Sequence, residues 1–133
     1  MHMLIKLYAI AFPAFLVLDA AWLSLAKGFY AGQVGSLMKT SVNWTAAIAF
    51  YLLFVLGLVI FAIAPAMEKS SLTHAVFSGA LFGLVSYATY DLTNLAVAKG
   101  WTIPVTIVDM AWGTALSAAV SLIAYSLAHR IGL

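Results

Sequence analysis

Four apolar segments dominate this sequence, and each exceeds the roughly 20 residues that a helix needs to cross a bilayer. They run over Leu4–Ala26, Trp44–Ala64, Leu72–Ala98 and Pro104–Ala128. Charged residues make up only 8% of the chain, against about 25% in a soluble domain. Mean hydropathy is +1.10. Such a chain cannot cover a water-facing surface with polar groups. The expected fold is all-α: a polytopic membrane protein built as a four-helix transmembrane bundle. Residues 1–133 are expected to form a single integral membrane domain.

Breakers separate the segments. Gly28, Gly32 and Gly35 mark the first connection, and Pro65 with Glu68-Lys69-Ser70-Ser71 marks the second. Lys99-Gly100-Trp101-Thr102 is a tight third connection, with Gly100 placed as a C-cap and Thr102 as an N-cap ahead of Pro104. Pro13 is expected to kink the first helix, a defect that neighbouring helices can satisfy in lipid. Phe29, Tyr30, Trp44 and Trp101 fall at segment ends, as an interfacial aromatic belt would. The stretch Met1–Ala26 has features of a signal peptide, but its apolar run is long enough to span and reads as a retained helix. The second helix has almost no polar atom between Tyr51 and Ala64 and reads as a lipid-facing wall.

Four crossings put both termini on one side. Lys6, Lys69 and Arg130 lie there, and Lys27, Lys39 and Lys99 lie opposite. The balance gives no orientation by the positive-inside rule and is also the pattern of a dual-topology protein. The free α-amino group tips the count towards cytoplasmic termini.

Several chemistries are excluded. With no cysteine there is no disulfide, thiolate nucleophile, thiol-ligated metal or lipidated cysteine. The formal charge of +2 comes from scattered basic residues, so nucleic acid is not an expected partner. His2, His74 and His129 all fall on the terminal side, so they cannot complete a triad or a zinc site with acids on the other. No cofactor and no metal is expected.

All three aspartates of the chain, Asp19, Asp91 and Asp109, lie inside the spanning segments. An ionisable group at that depth costs about 2.5–3.5 kcal/mol on insertion scales and usually serves a site. Counting 1.5 Å per residue from the expected helix ends puts Asp19 and Asp91 about 10 Å deep and Asp109 about 8 Å deep. All three are therefore expected in one leaflet at nearly one depth, with Asp91 opposite Asp109. Tyr87, Tyr90, Asp91 and Asn94 share the i, i+3, i+4, i+7 spacing of one helical face, flanked by Ser86 and Thr93. The first and fourth helices repeat Asp-x-Ala-Trp, as Asp19 to Trp22 and Asp109 to Trp112. On antiparallel helices the two indoles are expected to bracket the acid layer above and below. No Lys or Arg is expected at that depth, so a proton, cation or ligand must supply the positive charge. Three carboxyls so placed are expected to hold at least one proton at neutral pH and to titrate as a group. Aromatic faces suit a cation. The competing reading is that these groups only join helices, through polar contacts worth about 0.6 kcal/mol each. Ala75, Gly79 and Gly83, and separately Gly113, Ser117 and Ser121, form small-xxx-small rows for close packing.

The strings Leu18-Asp19-Ala-Ala-Trp22-Leu23, Tyr90-Asp91-Leu-Thr93-Asn94-Leu-Ala96 and Asp109-Met-Ala-Trp112-Gly113 together resemble a family of small bacterial inner-membrane proteins known only as a domain of unknown function. The resemblance covers essentially the whole chain. It implies a four-helix protein of a bacterial inner membrane and supplies no activity.

The expected site comprises Asp19, Trp22, Tyr87, Tyr90, Asp91, Asn94, Asp109 and Trp112. It would bind, and transport, a proton or a small cationic or amphipathic molecule, with Asp91, Asp109 and Asp19 as candidate proton carriers. The alternatives are a membrane-embedded enzyme acting on a lipid or isoprenoid through an aspartate acid–base pair, and a helper subunit without chemistry. Membrane lipid and further copies of the chain are the expected partners.

Overall fold

The computed structural model describes residues 2–133; the α-amino group weighed in the orientation belongs to Met1, outside the described residues. Helix α1 runs over His2–Val34 and ends in a short 3-10 turn, Gly35–Leu37. Helix α2, Trp44–Leu58, passes through a π-turn, Val59–Ile63, into α3, Ala64–Lys69. Helices α4, Leu72–Val97, and α5, Ile103–Arg130, complete the chain. Together these make four spans long and apolar enough to cross a membrane.

Side-chain caps set three helix starts. Asn43 accepts from the Ala46 amide (3.1 Å), Ser71 from the His74 amide (3.0 Å) and Thr102 from the Val105 amide (3.3 Å). Gly100 sits in the third connection at φ 82°, a left-handed conformation that suits glycine.

Two expected boundaries need correction. The first helix does not stop at Ala26; it continues two further turns through Gly28 and Gly32. Tertiary contacts outweigh the glycine penalty there: Tyr30 and Gln33 hydrogen-bond to α5 and the residue before it, and Val34 is buried. The second helix passes Pro65 without a loop. A proline lacks an N–H and crowds the preceding turn, and the π-turn immediately before it supplies the widened helix that accommodates the ring.

The α3–α4 corner turns on Ser70, a non-glycine residue at φ 49°. Left-handed backbone costs an L-residue about 1–2 kcal/mol. Ser70→Gly should therefore raise stability by about 1 kcal/mol, read as a higher unfolding midpoint in detergent.

The apolar core occupies the half of the bundle towards the termini. Leu7, Ala11 and Phe15 on α1 meet Leu116, Val120, Ala124 and Ala128 on α5, and Phe54 to Ile63 on the second span. That span is thus not merely a wall: Val55, Leu58, Val59, Ala62 and Ile63 face inward, while Leu53 and Phe61 face outward. Helices α4 and α5 form the closest pair. A Cβ on Gly79 would fall 2.8 Å from the Ser117 carbonyl, and one on Gly83 would strike Ser117 and the Gly113 carbonyl. The small-residue rows do pack as the sequence implies.

Candidate functional site

The α4–α5 seam places the first two acids. Ala75, Gly79, Gly83, Tyr87 and Asp91 follow one another at four-residue spacing on α4, as Asp109, Gly113, Ser117 and Ser121 do on α5. Gly79 faces Ser121, Gly83 faces Ser117, and the Tyr87 ring lies over Gly113. One rung further, Asp91 meets Asp109. Both stand six residues from their helix ends, about 9 Å, so the expected opposition holds. Asp91 is fully buried, and among the described residues neither of its oxygens finds a donor. Its carboxyl lies against that of Asp109, a contact that becomes a hydrogen bond only when one of the two carries a proton.

Asp19 does not share their level. It accepts from Trp112 Nε1 at 3.1 Å, and Trp112 lies one turn deeper in α5 than Asp109. The expected single layer was counted from Ala26, and that helix end has moved to Val34. The three carboxyls do not converge on one point. Among the described residues no group of three His, Cys, Asp or Glu side chains could share a metal ion.

The tryptophans also differ from expectation. Instead of bracketing the acids, the Trp22 and Trp112 rings stack 4.6 Å apart and 8° from parallel. The Asp-x-x-Trp spacing on antiparallel helices brings both indoles to the level between Asp19 and Asp109. From this stack hydrogen bonds run both ways. Trp112 donates to Asp19; Trp22 donates to the Tyr30 hydroxyl (3.2 Å), which donates to Asp109 Oδ1 (2.8 Å).

Beside this network lies a cavity of about 710 Å³. Asp19, Asp109, Trp22, Trp112, Tyr87 and Tyr90 line it, and Asp91 sits behind Asp109, out of its reach. Asn94 lies off the cavity, beside Tyr90. The stripe Tyr87, Tyr90, Asp91, Asn94 is therefore split. Consecutive residues point about 100° apart, which buries Asp91 in the seam and leaves Tyr90 56% exposed. The cavity reaches the first connection at Lys39 and Asn43 and the third at Trp101.

Sequence reasoning missed four contributors. Tyr30 and Trp101 read as belt residues but line the cavity. Asp19, Trp22, Ala26, Tyr30 and Gln33 keep helical three-and-four spacing straight through Gly28, a signal that could have found Tyr30. Tyr51, on the supposed wall, brings its hydroxyl to Asp19. Lys27 lies in the same lining as Asp109, so a basic group borders the cavity. Eight residues after Asp19, it falls within the helix that Gly28 was read as ending.

No curated protein and no solved structure matches this chain. A described family does match it, over residues 4–126. The chain belongs to that family, the predicted membrane proteins of DUF2177.

Proposed function

We propose that this protein binds a small cationic or amphipathic molecule in the aromatic cavity and exchanges it for a proton held between Asp91 and Asp109, as an intramembrane carrier does. The observation that supports this most is the Asp91 carboxyl, fully buried without a donor against a second carboxyl that lines the cavity. A desolvated carboxylate without a partner is strongly disfavoured, so the pair is complete only with a proton or a cation between its members. Asp109 is the binding carboxylate and Asp91 its proton reservoir. Asp19 adjusts the charge of the site through the Trp22–Trp112 stack, whose faces offer a cation a flat wall. Tyr90, on the cavity wall, positions the ligand; Asn94, beside it and off the cavity, positions Tyr90. The resemblance read in the sequence adds a bacterial inner membrane as the setting.

Tetraphenylphosphonium binding, followed by quenching of the cavity tryptophans, tests the reading. Wild-type protein should bind the cation more tightly as the pH rises and the shared proton leaves. Asp109→Asn should weaken binding about tenfold or more and remove its pH dependence, with the yield of folded protein unchanged. An Asp109→Asn protein that binds like wild type at every pH would show that the site is misplaced. A chemically altered lipid recovered from vesicles holding the protein would assign the acid pair to acid–base catalysis instead.

A further inference from the structure

Helix α4 packs on the π-turn and on α3 but scarcely meets α2. The Phe54 ring, 5.3 Å from Phe82 and 5.8 Å from Tyr87, bridges the two helices at the last level where they are joined. Beyond it the cavity fills the gap between them, with Ala47, Phe50 and Tyr51 of α2 on one side and Ser86, Tyr87 and Tyr90 of α4 on the other. Phe50 and Tyr90 flank this gap; both line the cavity, yet they are 45% and 56% exposed. They stand six and seven residues inside their helix ends, about 9–10 Å. At that depth the neighbour is the hydrocarbon layer of the bilayer. The gap therefore opens the cavity sideways into lipid.

The polar lining is ordered. The carboxyls of Asp19 and Asp109 lie inside, while Lys27 and Lys39 line the same cavity towards the first connection. A long lysine side chain carries its ammonium towards the interface. Trp101, on the wall at that end, buries its Nε1 with no acceptor. Cations and a spare donor at the rim call for an anionic oxygen there. A carboxylate with indole and phenol walls calls for a cation within. The volume of about 710 Å³ lies within the range of about 300–1,000 Å³ usual for ligand sites.

We infer that the occupant is a zwitterionic lipid amphiphile that slides in from the bilayer between α2 and α4, its phosphate on Lys27 and Lys39, its amine on Asp109, and its chains left in the gap beside Phe50 and Tyr90. This rests on the reading of Asp109 as the cation-binding carboxylate and adds the class of ligand and its route.

Native mass spectrometry of the purified full chain in detergent tests it, with phosphatidylethanolamine, phosphatidylglycerol and water-soluble phosphoethanolamine as probes. Phosphatidylethanolamine should stay bound, and phosphatidylglycerol, which lacks the amine, should bind more weakly by about tenfold or more. The double variant Lys27→Gln/Lys39→Gln should lose about tenfold or more in phosphatidylethanolamine affinity. Ala47→Trp, which adds bulk to the α2 side of the cavity, should impair the lipid and spare phosphoethanolamine. An unchanged far-UV helical signal and unfolding midpoint report that each variant is folded. Equal lipid binding by the lysine double variant overturns the inference, as does equal lipid binding by Ala47→Trp or a second copy of the chain found seated in the gap. If tetraphenylphosphonium still depends on Asp109 in those cases, the ligand class falls and the cation site stands. If Asp109→Asn changes neither probe, the underlying reading has failed.

Discussion

Gly83→Leu should be the most damaging single substitution in this protein, with a loss of about 3 kcal/mol or more and little folded material recovered. In lipid, burying an apolar side chain gains little, because the surrounding tails are equally apolar. Close backbone approach has to hold α4 to α5. A Cβ at Gly83 would meet the Gly113 carbonyl and the Ser117 side chain, and a backbone carbonyl inside a helix has no rotamer to escape into. The bulk of a leucine would part the helices. Asp91 and Asp109 stand two rungs further along the same rows, so the change should also separate the acid pair and abolish ligand binding in whatever protein remains folded. Gly28→Ala is the matched control. Nothing among the described residues lies within 4 Å of that Cβ, so the helix should gain about 0.5–1 kcal/mol. Unfolding midpoints in detergent for the two variants should move in opposite directions. Equal midpoints for Gly83→Leu and wild type would mean that the seam is not what joins these helices.

Asp91→Asn should do the reverse of what a structural residue does: stabilise the fold and remove the proposed proton-linked exchange. The Asp91 carboxyl is fully buried and meets no donor, a situation that costs about 1–3 kcal/mol. An asparagine amide has nearly the same shape and brings an N–H that can donate to Asp109 without a shared proton. The gain should be smallest in acid, where a proton already joins the wild-type carboxyls, and should grow to about 1–3 kcal/mol as the pH is raised. Over the same range the variant should lose proton-linked exchange of tetraphenylphosphonium, because its side chain cannot carry a proton in and out. If the acids served only to fasten helices, Asp91→Asn would be neutral or destabilising and no activity would change. Thermal unfolding across a pH series, paired with binding, separates the two results.

The sequence made some of this arrangement legible through local signals. The tight connection from Lys99 to Thr102 forces α4 and α5 to be antiparallel neighbours, and the small-residue rows set their register. Together these place Asp91 against Asp109 from the sequence alone. The rest depended on one helix end. Gly28 and Gly32 resemble a loop because glycine lowers helix propensity by about 1 kcal/mol each, but tertiary bonds from Tyr30 and Gln33 outweigh it. A helix ending at Ala26 puts Asp19 too shallow, leaves Tyr30 and Lys27 outside the site, and sets the tryptophans on opposite sides of the acids; the helix that ends at Val34 does none of these. Tyr51 was hidden for another reason. A single polar residue at the edge of an apolar run gives no periodicity, and only the packing of α2 against α1 turns it towards Asp19. The gap between α2 and α4 leaves no local signal either, because it depends on how two separate helices pack and not on either sequence alone.

Two indoles held 4.6 Å apart and 8° from parallel are also an optical device. Transition dipoles at that spacing couple, so Trp22 and Trp112 should behave as one exciton dimer in circular dichroism. The splitting depends steeply on ring separation and angle, and the rings belong to α1 and α5. The protein thus carries an intrinsic gauge of the spacing between the helices that hold Asp19 and Asp109. Any movement of those helices during a binding cycle can be read from its own chromophores, without a label.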